Sequence, residues 1–193
     1  MNLIETALKD VYIVEPAIFS DARGYFFESY NRDAFERKGL NYTFVQDNQS
    51  KSSYGTIRGI HFQKGEFAQA KLVRVLQGTV LDVAVDLREG SHTFGQHIAV
   101  ELSENNYRQL LIPRGFGHGF SVLSEIAVFS YKCDNFYAPA YEGSIRFDDP
   151  DLAIDWHVDM DRALLSDKDK SAPDFQTYCQ SPAFRYIDKR GNT

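Results

Sequence analysis

The stretch LVRVLQGTVLDVAVDL, residues 72–87, does more than any other to limit what this chain can become. Val73 and Val75 alternate with Leu72, Arg74 and Leu76. Gln77-Gly78 then offers a turn, and Val83, Val85 and Leu87 alternate with Asp82, Ala84 and Asp86. An extended strand sends successive side chains to opposite faces, so β-branched residues at period two suit a half-buried strand and not a helix. The pattern predicts a pair of strands joined by a tight turn. Further strands are expected over 25–30, 43–50, 59–63, 97–102, 109–112, 119–123 and 127–133. Short strands at this spacing point to an all-β jelly-roll type of barrel or sandwich, which also disposes of exposed strand edges. Helices are few. Asn31 can cap a helix over 32–38 that Gly39 ends, and Ser166 followed by Asp169 reads as a helix start.

Neither a repeat, a low-complexity tract nor a linker divides the 193 residues, so one domain over 1–193 is expected. Its segment from about 161 to 193 would be irregular or form short helices packed on the barrel. A formal net charge of −6 without a basic stripe argues against a nucleic-acid partner. No apolar run approaches the length of a membrane span, and MNLIETALKDVYIVEP lacks the basic and apolar regions of a signal peptide. Cys133 and Cys179 form neither a metal-binding spacing nor a disulfide framework. A reducing, cytoplasmic setting is the expectation.

The usual cofactor and nucleophile signatures are missing: there is no GxGxxG, no Walker A loop, no GxSxG and no HExxH. Positive signals begin with Arg58-Gly59-Ile60-His61-Phe62-Gln63. In a regular pleat His61 and Gln63 share one face, and Arg58, Ile60 and Phe62 the other. A histidine facing a barrel interior serves metal ligation or proton transfer, and a packed core histidine is the plain alternative. Pro113-Arg114-Gly115-Phe116-Gly117-His118 resembles the second motif of the cupin superfamily, in which a Pro-Gly turn delivers a histidine into the barrel. The first cupin motif carries His-x-His for a divalent metal, and here His61-Phe62-Gln63 lacks the second histidine. An amide oxygen is a weak substitute for imidazole, so the pattern looks like a cupin without its metal and shifts His61 toward the role of a base. Arg23, Arg58 and Lys71, which suit anion binding, lie with the polar Glu28, Gln46, Asp47 and Asn48 beside strand candidates, although solvated surface and salt-bridge positions are the ordinary use of such residues. Tyr131 and Tyr137 are two among eleven tyrosines.

Taken together, DARGYFFESYN, FVQDNQSKSSYGTIRGIHFQ, AQAKLVRVLQGTVLDVAVDLREGSHTFG, IPRGFGHGFSVLS, YKCDNFYAP, IRFDDPDLAIDW and LSDKD make the sequence similar to the dTDP-4-dehydrorhamnose 3,5-epimerase family, from about residue 19 to about 173. The resemblance implies a cupin jelly roll, a homodimer, a dTDP-4-keto-6-deoxy sugar as substrate, and no metal or organic cofactor. It implies His61 as general base oriented by Asp169, Tyr131 as general acid on the opposite face of the sugar, and Lys71 at the keto oxygen. Arg23, Glu28, Gln46, Asp47, Asn48, Arg58, His118, Glu142 and Lys168 would contact the nucleotide sugar, and Tyr137 would stack on thymine. One departure is visible: many relatives carry Pro-Pro where this chain reads Lys64-Gly65-Glu66-Phe67. Neighbouring readings are a single-carbon epimerase or ketoisomerase, a metal-dependent cupin, and a noncatalytic nucleotide-sugar binding module.

Overall fold

Two antiparallel sheets face one another in the computed structural model, which describes residues 1–187. In chain order, β1 (Asn2–Glu5) and β2 (Tyr12–Glu15) precede a small hairpin of β3 (Phe19–Asp21) and β4 (Gly24–Phe26). After α1 (Arg32–Glu36) come β5 (Gln46–Ser53), β6 (Ile57–Gln63), β7 (Lys71–Gln77), β8 (Thr79–Asp86) and β9 (Arg88–Glu89). Then follow β10 (His97–Ser103), β11 (Gln109–Ile112), β12 (Phe116–Val122), β13 (Ile126–Cys133) and β14 (Glu142–Ser144). The described chain closes with α2 (Asp167–Lys170), α3 (Phe175–Gln180) and β15 (Phe184–Arg185). One sheet runs β1-β2-β11-β7-β13-β5 and the other β10-β8-β12-β6-β14. The expected all-β jelly-roll type with few short helices is thus realised as a sandwich and not as a closed barrel.

The alternation explains the layering. Val73, Val75, Leu110, Ile112, Ala127 and Phe129 of the first sheet meet Val80, Ala84, Leu102, Phe116, Phe120 and Val122 of the second in one buried cluster. Burying each such aliphatic or aromatic side chain contributes about 1.5–3 kcal/mol. The opposite face of β8 is buried as well. Leu81, Val83 and Val85 pack with Ile57, Ile60 and Phe62 of β6 beneath a cover of Ile145, Phe147, Leu152, Trp156, Phe175 and Tyr178. The stretch from Ile145 to Tyr178 is therefore held against the outside of the second sheet, and this sets the position of α2.

Three expectations need correction. Both strands of 72–87 form, yet they do not pair: β7 lies in one sheet and β8 in the other. Gly78, at φ +80°, carries the chain between the sheets where a Cβ would sit 2.1 Å from the Ile126 carbonyl oxygen. Period two reports burial and is silent about the partner strand. The helix capped by Asn31 ends at Glu36, short of residue 38. The regular pleat expected around His61 is broken: β12 pairs His118 with His61 but Phe120 with Arg58, so β6 carries one extra residue. The bulge turns Arg58 away from Ile60 and Phe62, and its Nε donates to the Ser52 hydroxyl on β5 (3.2 Å). Expectations for residues 188–193 of the tail lie outside the described residues.

Candidate active site

At one end of the sandwich interior the apolar rows of the strands give way to polar side chains. Along β7 the inward row runs Val75, Val73, Lys71, and along β13 it runs Phe129, Tyr131, Cys133. β5 adds Gln46 and Asn48, paired with Cys133 and Tyr131. β6 of the facing sheet supplies His61 and Gln63. These residues, with Phe62, Gln69, Tyr137 and Glu142, line a cleft of about 320 Å³, a size suited to a small ligand.

His61 lies across from Tyr131, each on its own sheet. Its side chain is 35% exposed, and its Nε2 lies 2.5 Å from Oδ1 of Asp169, which is 3% exposed. Burial alone would raise the Asp169 pKa. Hydrogen bonds from His61, the Ser166 hydroxyl and the Gly59 backbone N–H more than offset this and hold it below the usual carboxylate range. An ionised carboxylate only accepts, so Nε2 is the donor, and in a neutral ring Nδ1 carries the lone pair. The expected cap is present: the Ser166 oxygen accepts the Asp169 N–H (3.2 Å), and its hydroxyl donates to Oδ2 of Asp169 (2.6 Å). Ile57 N–H donates to the Leu164 carbonyl and Leu164 N–H to that of Gly55, so the chain leading into α2 lies along the start of β6. That lateral attachment places Asp169 at His61 across more than one hundred residues of sequence.

Tyr131 is half-buried, and burial is the main cause that lifts its pKa above the ordinary phenol value, so it is a proton donor near neutrality. The Lys71 ammonium lies 5.8 Å from the centre of the Tyr131 ring. Burial depresses its pKa, opposed by Cys133, Asp82 and Glu142. Beneath it, His118 Nε2 meets Oδ1 of Asp82 at 2.8 Å, deep between the sheets. Burial disfavours charge on both partners, raising Asp82 and lowering His118. The second Asp82 oxygen has no hydrogen-bond partner among the described residues.

Of the residues named from sequence, the structure brings His61, Lys71, Tyr131, Gln46, Asn48, Tyr137 and Glu142 to the cleft and sets Asp169 behind His61. Lys168, beside Asp169 on α2, bonds Glu142 at 2.6 Å across the rim. His118 is buried below the cleft and not on its wall. Asp47 alternates to the other face of β5, where Lys132 holds it (3.0 Å). Arg23 and Glu28 lie elsewhere in the single chain: Arg23 pairs with Asp21 on the β3–β4 hairpin, and Glu28 accepts from Asn31. Asp82 and Gln69 were not anticipated. The signal for Asp82 was a carboxylate amid the β-branched residues of 79–86. No three His, Cys, Asp or Glu side chains converge as a metal-binding group among the described residues.

A double-layered β fold that sets a histidine on one sheet, backed by an aspartate from a short helix, across a cleft from a protonated tyrosine on the other sheet has the parts of a cupin-type epimerase. Comparison with known proteins narrows the class. Residues 5–177 match the dTDP-4-dehydrorhamnose 3,5-epimerase family. A dTDP-4-dehydrorhamnose 3,5-epimerase of Salmonella typhimurium is 54% identical over 90% of this chain and 94% of its own. The crystal structure of one from Elizabethkingia anophelis is 60% identical with a TM-score of 0.89, over 92% of this chain and 97% of that one. A dTDP-6-deoxy-D-glucose-3,5-epimerase from Legionella pneumophila, solved in complex with dTDP-4-keto-L-rhamnose, gives 46% and 0.93 over 97% and 99%. This chain belongs to the dTDP-4-dehydrorhamnose 3,5-epimerase family and is an isomerase.

Proposed function

We propose that the chain epimerises C3 and C5 of dTDP-4-dehydro-6-deoxy-D-glucose, giving dTDP-4-dehydro-L-rhamnose for rhamnose biosynthesis, with His61 as base and Tyr131 as acid. Both carbons flank the C4 ketone, so loss of either proton gives an enolate and one carbonyl activates two stereocentres. In this scheme the Nδ1 lone pair of His61 takes the proton from carbon. Asp169 fixes the tautomer and stabilises the imidazolium, a general-base contribution of about 10²–10⁴-fold. Lys71 faces the oxyanion that develops at C4. Tyr131 returns a proton to the opposite face of the same carbon, which inverts it. His61 then loses its proton to water and Tyr131 regains one. The observation that carries the reading is the placement of His61 and Tyr131 on facing sheets of one cleft, which lets base and acid flank a flat enolate.

Gln46, Asn48, Tyr137 and Glu142 at the cleft, with Lys168 at its rim, are the proposed nucleotide-sugar contacts. Remote binding of this kind positions the reacting carbons. Arg58, Asp47 and His118 belong to the proposed set through the resemblance, although their side chains do not line the cleft. The proposed active unit is a homodimer. The β3–β4 hairpin joins neither large sheet and exposes Phe19, Tyr25 and Phe26, the last at 68%. Exposed aromatic clusters of this kind mark protein interfaces. Arg23 stands 90% exposed on that same hairpin, so a second copy is the route by which Arg23 and Glu28 reach a cleft. Both cysteines are free thiols, in keeping with work in the cytoplasm.

Incubation with authentic dTDP-4-keto-6-deoxy-D-glucose, followed by NMR of the sugar ring, tests the assignment. Inversion at both C3 and C5 is expected. Inversion at one carbon selects a single-site epimerase, and binding without conversion selects a noncatalytic module; either result rejects the reading.

A further inference from the structure

Gln63 occupies the position at which the cupin pattern carries its second histidine, and it has another use here. It shares the inward face of β6 with His61 and is only 6% exposed. Its amide Nε2 donates to the carbonyls of Phe67 (2.7 Å) and Phe136 (3.1 Å), and its Oε1 accepts the N–H of Ala138 (2.7 Å). Both amide protons are thus engaged by backbone, and the oxygen is engaged once. Two of the three bonds fall on the residues that flank Tyr137. Tyr137 is 56% exposed, and its backbone N–H donates to Gln46 Oε1 (2.9 Å). The remaining bond draws in the 3-10 turn Gly65–Phe67. Asn135 ties the same two loops from outside, donating to the Glu66 carbonyl (2.7 Å) and accepting the Phe136 N–H (2.9 Å).

We propose that Gln63 is a positioning residue for nucleotide recognition: by clamping the backbone on either side of Tyr137 to the strand that bears His61, it fixes the distance between the base-stacking ring and the catalytic imidazole. The inference rests on the reading of Tyr137 as the ring that stacks on thymine. A ring held before the ligand arrives need not be ordered on binding, so the clamp acts on affinity. It touches no reacting atom and leaves proton transfer to His61.

Titration calorimetry with dTDP, together with steady-state kinetics, tests this on Gln63→Met, Gln63→Glu and Tyr137→Ala. Gln63→Met keeps the size of the side chain and removes all three bonds. Gln63→Glu keeps the acceptor for Ala138 and turns a carboxylate toward the Phe67 and Phe136 carbonyls. Both are expected to raise the dTDP Kd and the KM roughly 5- to 100-fold, the span of leaving buried partners unpaired, while kcat falls far less. In the Tyr137→Ala background Gln63→Met should add little. Wild-type affinity in a folded Gln63 variant beside a weakened Tyr137→Ala overturns the inference alone, as does full multiplication of the two effects. Undiminished dTDP binding by Tyr137→Ala overturns the stacking reading as well. Hydrogen exchange on the unaltered protein is independent of variant folding: slow exchange of the Ala138 amide supports the clamp, and exchange at the rate of an open loop contradicts it.

Discussion

At the scale of single residues the site sets function against stability most plainly at Lys71. Its ammonium has been moved between two sheets and has no hydrogen bond or ion pair among the described residues, and burial depresses its pKa. The unfolded chain therefore holds more protons than the folded one between the lowered value and about 10.5, the ordinary lysine value. In that window stability rises with pH. Lys71→Met should melt higher than the unaltered protein at neutral pH, and the gap should close as pH approaches 10; each kcal/mol gained corresponds to about 2–4 °C in a chain of this size. Calorimetric melts across pH measure it. The same variant should lose about 10²–10³-fold in kcat, as when one oxyanion donor is removed. Asp169→Asn should lower kcat about 10²–10⁴-fold with little change in KM, since the Asn can turn its amide toward His61 and favour the wrong tautomer. His61 was legible in the sequence as a base or ligand candidate because a histidine in an otherwise apolar strand has few purely structural uses, whereas Lys71 and Tyr131 read as ordinary surface charge and one tyrosine among eleven and took their roles from family resemblance. Asp169 was legible only as a cap acid, and its catalytic reading came from family resemblance, since its contact with His61 spans distant parts of the chain.

The geometry at the element scale turns on the bulge in β6. Gly59 has φ +119°, and a Cβ there would stand 2.5 Å from the Gly119 Cα on β12. Only glycine lets the two strands approach so closely. The extra residue turns Arg58 to the side of Ser52, while the Gly59 N–H reaches the Asp169 carboxylate. Gly59→Ala should cost about 2–6 kcal/mol, combining about 1–3 each from a strained φ and from overpacking, as read by urea denaturation. Ser166→Ala removes both the cap of α2 and a hydrogen bond to Asp169. About 1 kcal/mol of stability should go, together with a fall in kcat on the order of tenfold, the equivalent of one net hydrogen bond. Strand positions were visible in the alternation to within a few residues. Their partners were not, as the separation of β7 from β8 shows, because burial on one face is equally well met by either sheet. β1 and β2, four residues each, carry too short a period to read.

For the whole molecule, the covered faces are those that the apolar rows demand, and the conspicuous exception is the β3–β4 hairpin. Phe19 and Phe26 stand exposed and line a pocket with Ala17, Tyr30 and Phe35, and Tyr25 stands exposed on the same hairpin. A second copy that buried this ribbon would account for both the aromatics and the distance of Arg23 from the cleft. Sedimentation should give a dimer, and Phe26→Glu should give a folded monomer with greatly reduced turnover; full activity in a monomer would remove the dimer from the account. The proposed chemistry rests on one imidazole, with His61 removing the protons at both carbons. Its most direct measurement is solvent deuterium entering C3 and C5 of dTDP-4-keto-6-deoxyglucose, followed by NMR for the unaltered protein and for His61→Asn. This chemistry predicts label at both carbons in the first and at neither in the second. Label at either carbon with folded His61→Asn would contradict it.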